Sequence, residues 1–569
     1  MGQQMTRRFD FFVRLLALLV FAIAVICYSW NSDDAYHSYI MAKHLAEGKG
    51  FVYNVGFRVT ASTCPLLTLV EAFVFLFTSS ANVCGFLIGV SFSVAAAWIL
   101  FFRLSSSAVV SFCLSGLMVA SRSFLSFTTS GLENPMLFFF GAVFCYVYFL
   151  NSDLSWRHLL IISLLMSLIA MTRMDSVLIF IPMAVWAYLA RSRVSFIMLI
   201  VLGAAGLSPF IVWICFSTIY YGFPFPNTYY AKLYTGIPVA EYIIRGLKYY
   251  PASWIVDPMM LLFPAFAVGI GIKMRNLTHI PLFIGLAAYC VYVVLIGGDF
   301  MAGRHLTQQY FLLLCSCALS LGGKVRNVNE LMQSDTGKIM RLSVVTMLLV
   351  GCIWNYCARP MGTAWPVSND VVDERYLYLC SGGEVPLYKS IWPFAGHGGN
   401  GAVKYRDTFL EERISREHEK GNKGFCFGVK KDERNRIFGI PVLFGKDIYA
   451  ARDREMYLTD VIALQDPLLS RLKVHLRGDW RVGHILREVP EGYVETLATG
   501  ENRIEDSSLS MYYDKLLLVM KGPLFDRERL RTVAAFNCGK YDKLLEQYEK
   551  NRPVLEEDVS GSNLSDSVK

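Results

Sequence analysis

Long apolar runs recur through the first two thirds of this chain, more often than a water-soluble fold can bury. The first is Phe11–Trp30, and others follow at roughly 64–80, 84–102, 105–121, 133–150, 158–171, 176–190, 195–219, 257–274, 279–297, 307–323 and 342–357, twelve candidates in all. A helix of about 20 apolar residues spans the hydrocarbon of a bilayer, and only helices or closed barrels satisfy their backbone groups there. The first run follows Arg7 and Arg8, as a signal peptide would. It lacks a small-residue cleavage site and is followed by many more runs, so it reads as a retained transmembrane helix.

Charge divides the chain in two. Residues 1–358 hold 22 Lys+Arg and 13 Asp+Glu, whereas residues 359–569 hold 32 and 33. A membrane domain is therefore followed by a soluble domain. With 54% hydrophobic and 18% charged residues overall, an ordinary cytosolic enzyme and a disordered chain are both excluded. The basic excess lies in the membrane part, where it reads as topology and headgroup contact. The tail is neutral, which argues against a nucleic-acid partner.

Short basic connectors mark the cytoplasmic side: Arg7/Arg8, Arg191/Arg193, Lys273/Arg275 and the Lys324–Arg341 loop. Stepping outward from them puts 31–62, 121–132, 220–256, 298–306 and the C-terminal domain on the far side. Eleven crossings satisfy every anchor, provided that one of 84–102 and 105–121 does not cross fully. The N-terminus is then cytoplasmic and the tail extracytoplasmic, in the cytoplasmic (inner) membrane. Turns at Gly382-Gly383, Gly396–Gly401 and Pro490-Glu491-Gly492, alternation over Arg436–Leu443 and helical patterning over Arg527–Tyr548 suggest an α+β fold for the tail. Residues 556–569 are polar, Ser-rich and expected to fray.

Most of the 14 cysteines sit in apolar runs and read as small buried hydrophobes. No Cys/His set has zinc spacing. Cys380, Cys426 and Cys538 leave room for one disulfide of unassigned pairing.

Polar islands interrupt the apolar pattern, and all those of the membrane domain fall on the far side by charge alone. The first is Asn31-Ser32-Asp33-Asp34-Ala35-Tyr36. Adjacent carboxylates at a membrane face are costly to desolvate and need a task or a cationic partner. They suit a general base, with metal ligation or a helix cap as the alternatives. An amphipathic stretch, Met41–Ala46, stops at Gly48 and leads through Phe51–Val59 back to the membrane.

These islands resemble a known family. Asp33-Asp34-Ala35-Tyr36 with Ala42-Lys43-His44-Leu45-Ala46-Glu47-Gly48-Lys49-Gly50-Phe51-Val52-Tyr53-Asn54-Val55-Gly56-Phe57-Arg58-Val59 is similar to the first outer loop of polytopic, lipid-linked-sugar-dependent glycosyltransferases of the GT-C class. The nearest resemblance is to the terminal β-arabinofuranosyltransferase family of actinobacterial cell-wall assembly. Thr129-Ser130-Gly131-Leu132-Glu133 resembles its Ser-Gly-Leu-Glu motif, and Thr172-Arg173-Met174-Asp175 its Arg-Pro-Asp motif with Met in place of Pro. Tyr220–Lys232 resembles its Tyr-Tyr-Gly-x-Pro-x-Pro-Asn-Thr-x-Tyr-Ala-Lys loop, and Gly297–Arg304 its Gly-Gly-Asp-Phe-Met-x-x-Arg. In the tail, Val461–Pro467 and Trp480–Tyr493 resemble its C-terminal signatures. The resemblance runs in order from about residue 31 to residue 493.

It implies a GT-C-like polytopic α-helical membrane protein of about 11 transmembrane helices with a C-terminal α+β extracytoplasmic domain. The implied donor is a polyprenyl-phosphate sugar, and the acceptor is a glycan or glycoprotein. Such transfer requires a base, cations for the departing phosphate and a lipid groove. Asp33 is the lead base, with Asp34 its alternate. Arg304 and Lys232, then Arg173 and Arg58, are the phosphate clamps, since positioned cations stabilise charge on a leaving group. Glu133, Asp175, Asp299, Asn227, Tyr229 and Tyr230 are candidate sugar or acceptor contacts, joined by His484 and Arg481 if the tail folds over the outer face. A single base fits one inverting displacement. No cofactor is required; a divalent ion on Asp33/Asp34 with Asp299 is conceivable but not expected. The donor could be a hexose such as mannose. A transporter or flippase is the rival of another class, but it would carry mid-span charges and often a two-fold repeat.

Overall fold

The computed structural model describes residues 2–151, 153–274, 277–357, 371–376, 427–431, 437–440, 462–474, 480, 482–485 and 487–552. In chain order its helices are α1 (Gly2–Cys27), α2 (Ala35–Ala46), α3 (Pro65–Phe75), α4 (Ala81–Ile99), α5 (Ala108–Ala120), α6 (Arg122–Ser126), α7 (Asn134–Leu150), α8 (Trp156–Thr172), α9 (Val177–Ala190), α10 (Phe196–Tyr220), α11 (Asn227–Leu233), α12 (Val239–Val256), α13 (Met259–Met274), α14 (Ile280–Leu295), α15 (Arg304–Gly322), α16 (Val328–Gln333) and α17 (Asp335–Cys357). The tail adds α18 (Tyr493–Thr499), α19 (Ser507–Lys521), α20 (Arg527–Asn537) and α21 (Asp542–Asn551).

Each apolar run of the sequence has become a helix, and several start at a serine. The hydroxyls of Ser80, Ser107, Ser121 and Ser195 accept the amides of Val83, Val110, Phe124 and Met198, satisfying donors that a helix start leaves open. Large apolar side chains face outward along these helices: Ile197 is 75% exposed, Leu342 72% and Val212 65%. Water would penalise such a surface and lipid would not. The chain is a membrane-embedded helical protein. Among the described residues, five helices are long and apolar enough to cross a bilayer: those over Arg7–Cys27, Ala81–Leu104, Phe196–Tyr220, Leu277–Leu295 and Asp335–Trp354. A sixth arises if α12 and α13, bent by 100° at their junction, form one broken span. The other apolar helices are shorter. At 13 residues, α5 is about 20 Å long, less than the thickness of the hydrocarbon layer.

The loops carrying the polar islands meet one another. The Ser32 amide donates to the Ser130 carbonyl at 2.8 Å, and the Trp30 indole donates to the Ser126 carbonyl at 2.7 Å. At the α12–α13 bend, Asp257 is buried and accepts from the Ser121 hydroxyl (2.7 Å) and the Ser123 amide (2.8 Å). Gly131 shows why its loop needs glycine: its φ is +75°, and a Cβ there would lie 2.7 Å from the Ala35 methyl.

The described part of the tail is a small helical cluster with its own core. Leu468, Leu469, Leu472, Tyr493, Leu509, Tyr512, Leu516 and Met520 pack together with Val59 of the first loop and Ala231 of α11. Polar contacts fix the seam. Arg529, fully buried, donates to the carbonyls of Val519, Leu524 and Tyr220, while Asn537 donates to the Gly222 carbonyl. Arg487 donates to the Ala231 carbonyl at 2.6 Å. The only strand pairing among the described residues is antiparallel, Phe427–Lys431 with Ile437–Ile440. The expected α+β character thus has a single hairpin to represent it, and helices build the described tail. Residues 556–569 lie outside the described residues, as do Cys380 and Cys426; Cys538 is an exposed free thiol.

Candidate functional site

Glu133 closes the Ser-Gly-Leu-Glu loop just ahead of α7, and its side chain is 3% exposed. An isolated carboxylate there would be prohibitively costly. Two guanidiniums offset this. Arg173, between α8 and α9, approaches it at 2.5 Å, and Arg304, at the start of α15, contacts both its oxygens at 3.1 and 3.3 Å. Burial pushes the Glu133 carboxyl up, but Arg304 and then Arg173 outweigh it and hold the pKa down at about 2. Glu133 is therefore a permanent anion that organises the two arginines.

The arginines reach further acids. Arg173 forks onto Asp175 at 2.7 and 3.2 Å. Arg304 lies 3.5 Å from Asp299 and 3.7 Å from Asp34. Residues from the first loop, the Ser-Gly-Leu-Glu loop, the α8–α9 junction and the Gly-Gly-Asp-Phe-Met loop thus meet in one ion network. Asp34 occupies the cap position of α2, yet its side chain makes no capping hydrogen bond there. Its contact with Arg304 answers the helix-cap alternative: the carboxylate faces the network.

Asp33 faces a partner from outside the membrane-domain loops. The segment 371–376 runs beside the Gly-Gly-Asp-Phe-Met loop as a short parallel bridge. Val372 donates to the Phe300 carbonyl (2.7 Å), and Ala302 to the Val372 carbonyl (3.0 Å). Two residues on, Glu374 accepts the Asp33 backbone N–H at 3.2 Å.

Lys232, on α11, is exposed to solvent. Burial lowers its pKa; Asp299 and Asp34 pull it up, while Arg304 and Arg173 pull it down. Its charge therefore belongs to the same field. His305 follows Arg304 and bridges the cluster from behind: its ring is 3.6 Å from Asp299, 2.8 Å from the Tyr289 hydroxyl and 3.2 Å from Arg173.

Other expected residues stand elsewhere. The Arg58 guanidinium donates to the carbonyls of Val519 and Gly522 at the end of α19, so it ties the first loop to the tail and leaves the ion network. Asn227 differs likewise. It is buried, and its amide donates to the carbonyls of Ala463 (3.2 Å), Leu464 (3.2 Å) and Asp466 (2.9 Å). Its oxygen accepts from Ser470 and Arg471. A side-chain amide matches a run of backbone carbonyls better than it matches an ion, which explains its use as a clamp. Tyr230 stacks under Arg471 at 4.7 Å, and Tyr229 is 40% exposed against Phe225. His484 packs edge-on to Phe300 at 4.6 Å, bringing the tail against the Gly-Gly-Asp-Phe-Met loop. Arg481 lies outside the described residues.

Sequence reading missed Glu374, His305 and Arg471. His305 adjoins a motif residue and was within reach. Arg471 follows the Gln465-Asp466-Pro467 island by a few residues. Glu374 sits in a charged stretch, Asp373-Glu374-Arg375, with no pattern that distinguishes it from an ordinary linker.

No family model matches this chain, and no curated protein is found to be a relative. The site combines a carboxylate-rich floor, fixed guanidiniums and an accessible lysine at the edge of a membrane-embedded bundle. Among the described residues no group of three or more His, Cys, Asp or Glu is arranged to hold a metal ion.

Proposed function

We propose that this protein is a membrane glycosyltransferase of the GT-C type. It moves a sugar, arabinofuranose as the first candidate, from a polyprenyl-phosphate donor to a glycan hydroxyl. The work is done at the outer face of the cytoplasmic membrane, by a domain of eleven crossings with a cytoplasmic N-terminus. The observation that carries the reading is the ion network of Asp34, Glu133, Arg173, Asp175, Asp299 and Arg304, assembled from loops far apart in sequence.

The network, with Asp33 and Lys232 beside it, offers the groups that transfer from a phosphodiester needs. The acceptor hydroxyl oxygen attacks the anomeric carbon as a carboxylate takes its proton, with Asp33 the lead base and Asp34 the alternate. The carbon–oxygen bond to phosphate breaks, and the electron pair leaves with polyprenyl phosphate. Arg304, already balanced by three acids, and Lys232, reached by solvent, face the charge that grows on the phosphate. Glu133 and Asp175 hold Arg173 in place, and fixed dipoles and charges lower the reorganisation needed at reaction. One displacement inverts the anomeric centre.

The test is transfer of label in membranes containing the protein. Polyprenyl-phosphate arabinofuranose and polyprenyl-phosphate mannose are each offered with a native glycan extract. Label moving from the first supports the arabinose reading, and label from mannose alone replaces the sugar. Transfer from neither, by folded protein, rejects the enzyme reading in this form.

A further inference from the structure

The base candidates Asp33 and Asp34 come from the first loop, but a third carboxyl group has been brought to them from the far side of the domain boundary. Glu374 is 5% exposed. One oxygen, Oε1, accepts the Asp33 amide. The other, Oε2, has no hydrogen-bond partner among the described residues. Backbone pairing of Val372 with the Gly-Gly-Asp-Phe-Met loop holds the segment in register, so the approach does not depend on Glu374 itself.

We propose that Glu374 is a positioning residue that sits beside the Asp33–Asp34 pair as a neutral acid, fixing the Asp33 backbone and keeping a third negative charge out of the site. The proposal rests on the glycosyltransferase reading for its effect on turnover, though not for the state of the carboxyl. A buried ionised oxygen with no donor forfeits the solvation of a charge, whereas the neutral acid there forfeits only a hydrogen bond.

The surroundings agree. Asp33 and Asp34 face Glu374 from the first loop, and Arg304 faces it from α15. The charges on its own segment are engaged elsewhere. Asp373 pairs with Arg122 of α6 at 2.5 Å. Arg375 lies over the Tyr28 ring at 3.5 Å and donates to the Tyr28 carbonyl. Burial first, then the charges of Asp34 and Asp33, push the Glu374 carboxyl well above the usual carboxylate range; the Asp33 N–H and Arg304 oppose them without prevailing. Ionising Glu374 at alkaline pH would place a third negative charge where a phosphate-bearing donor must approach.

Glutamine is the mimic of the neutral acid: it retains an oxygen for the Asp33 amide and cannot ionise. Infrared difference spectra of purified wild type against Glu374→Gln are expected to contain a protonated-carboxyl band at neutral pH that fades on alkaline titration. In transfer assays, Glu374→Gln should stay within about threefold of wild-type kcat at neutral pH and lose the wild type's alkaline decline, whereas Glu374→Ala should lose about tenfold in kcat with little change in donor KM. Absence of the band at neutral pH overturns the proposal. So does Glu374→Gln falling as far as Glu374→Ala, or an unchanged alkaline limb. If wild type transfers no sugar, the functional reading fails while the infrared titration still decides the state of Glu374.

Discussion

Two polar regions of this protein draw on the same kind of motif residue and use them in opposite ways. Around Glu133 the partners are ionised on both sides: two arginines share one buried carboxylate and extend to Asp34, Asp175 and Asp299. Around Asn227 the N–H groups go to backbone carbonyls: Asn227, Arg58, Arg487 and Arg529 all donate to peptide oxygens of the seam between the loops and the tail, while the Asn227 oxygen accepts from Ser470 and Arg471. Carbonyls are neutral and bound to one place in the chain, so the second region is a fastening. Ion partners can be exchanged for a charged substrate, so the first region can do chemistry. A polar residue in a membrane loop is therefore not yet a site residue; what it donates to decides.

The contrast is broken most severely at the base. Asp33→Asn or Asp34→Asn, whichever is the proton acceptor, should lower transfer by about 10²- to 10⁴-fold, with thermal unfolding in detergent nearly unchanged. Equal loss of stability would turn the acids into structural groups. Glu133→Gln should come next: removing the shared anion from two buried guanidiniums costs about 3–5 kcal/mol of stability, read as a large fall in melting temperature. Its pH dependence sharpens this. Because the folded pKa is depressed to about 2, the Glu133 contribution is fully present above the ordinary carboxylate range and is lost as pH falls through about 2. The melting difference between wild type and Glu133→Gln should shrink across that window; a constant difference would contradict the ion-pair account.

On the fastening side, Asn227→Ala should cost about 1–3 kcal/mol, because three carbonyls lose their donor. Limited proteolysis should then cut the tail near residues 462–474 faster, while transfer falls only in proportion to the loosened tail. The smallest effect is expected at Tyr229, whose half-open ring stacks on Phe225: Tyr229→Ala should change stability by less than about 1 kcal/mol. A large loss of transfer there would move the residue from the lipid boundary into the site.

Much of this was legible from residue order alone. The apolar runs map onto helices one for one, because an unbroken apolar run satisfies its backbone groups within itself only as a helix. Asp34 could be singled out because charge at a membrane face demands a partner, and Glu133, Arg173, Asp175, Asp299 and Arg304 because they stand in polar islands that resemble family motifs. Ion pairing of Asp175 and Asp299 with the cations was open to the sequence, but the meeting of Arg304 with Glu133 and Asp34, 171 and 270 positions away, was not. Arg58 and Asn227 misled for a related reason: local sequence carries no mark distinguishing an amide that will meet a ligand from one that will meet carbonyls of the tail. Glu374 was hidden because its place depends on a backbone bridge at Val372, made by a segment with no motif of its own. The long-range seam also explains why the tail reads as a separate domain in composition yet shares a core with Val59 and Ala231.

In the proposed enzyme the ion network and Asp33 catalyse, and the seam only holds them together. The most direct measurement is transfer of label from a polyprenyl-phosphate sugar by purified wild type, Asp33→Asn, Asp34→Asn and Asn227→Ala, at matched amounts of folded protein. One aspartate variant should lose at least about a hundredfold in kcat while Asn227→Ala keeps most of it. Comparable loss in all three variants, or none in either aspartate variant, would contradict this.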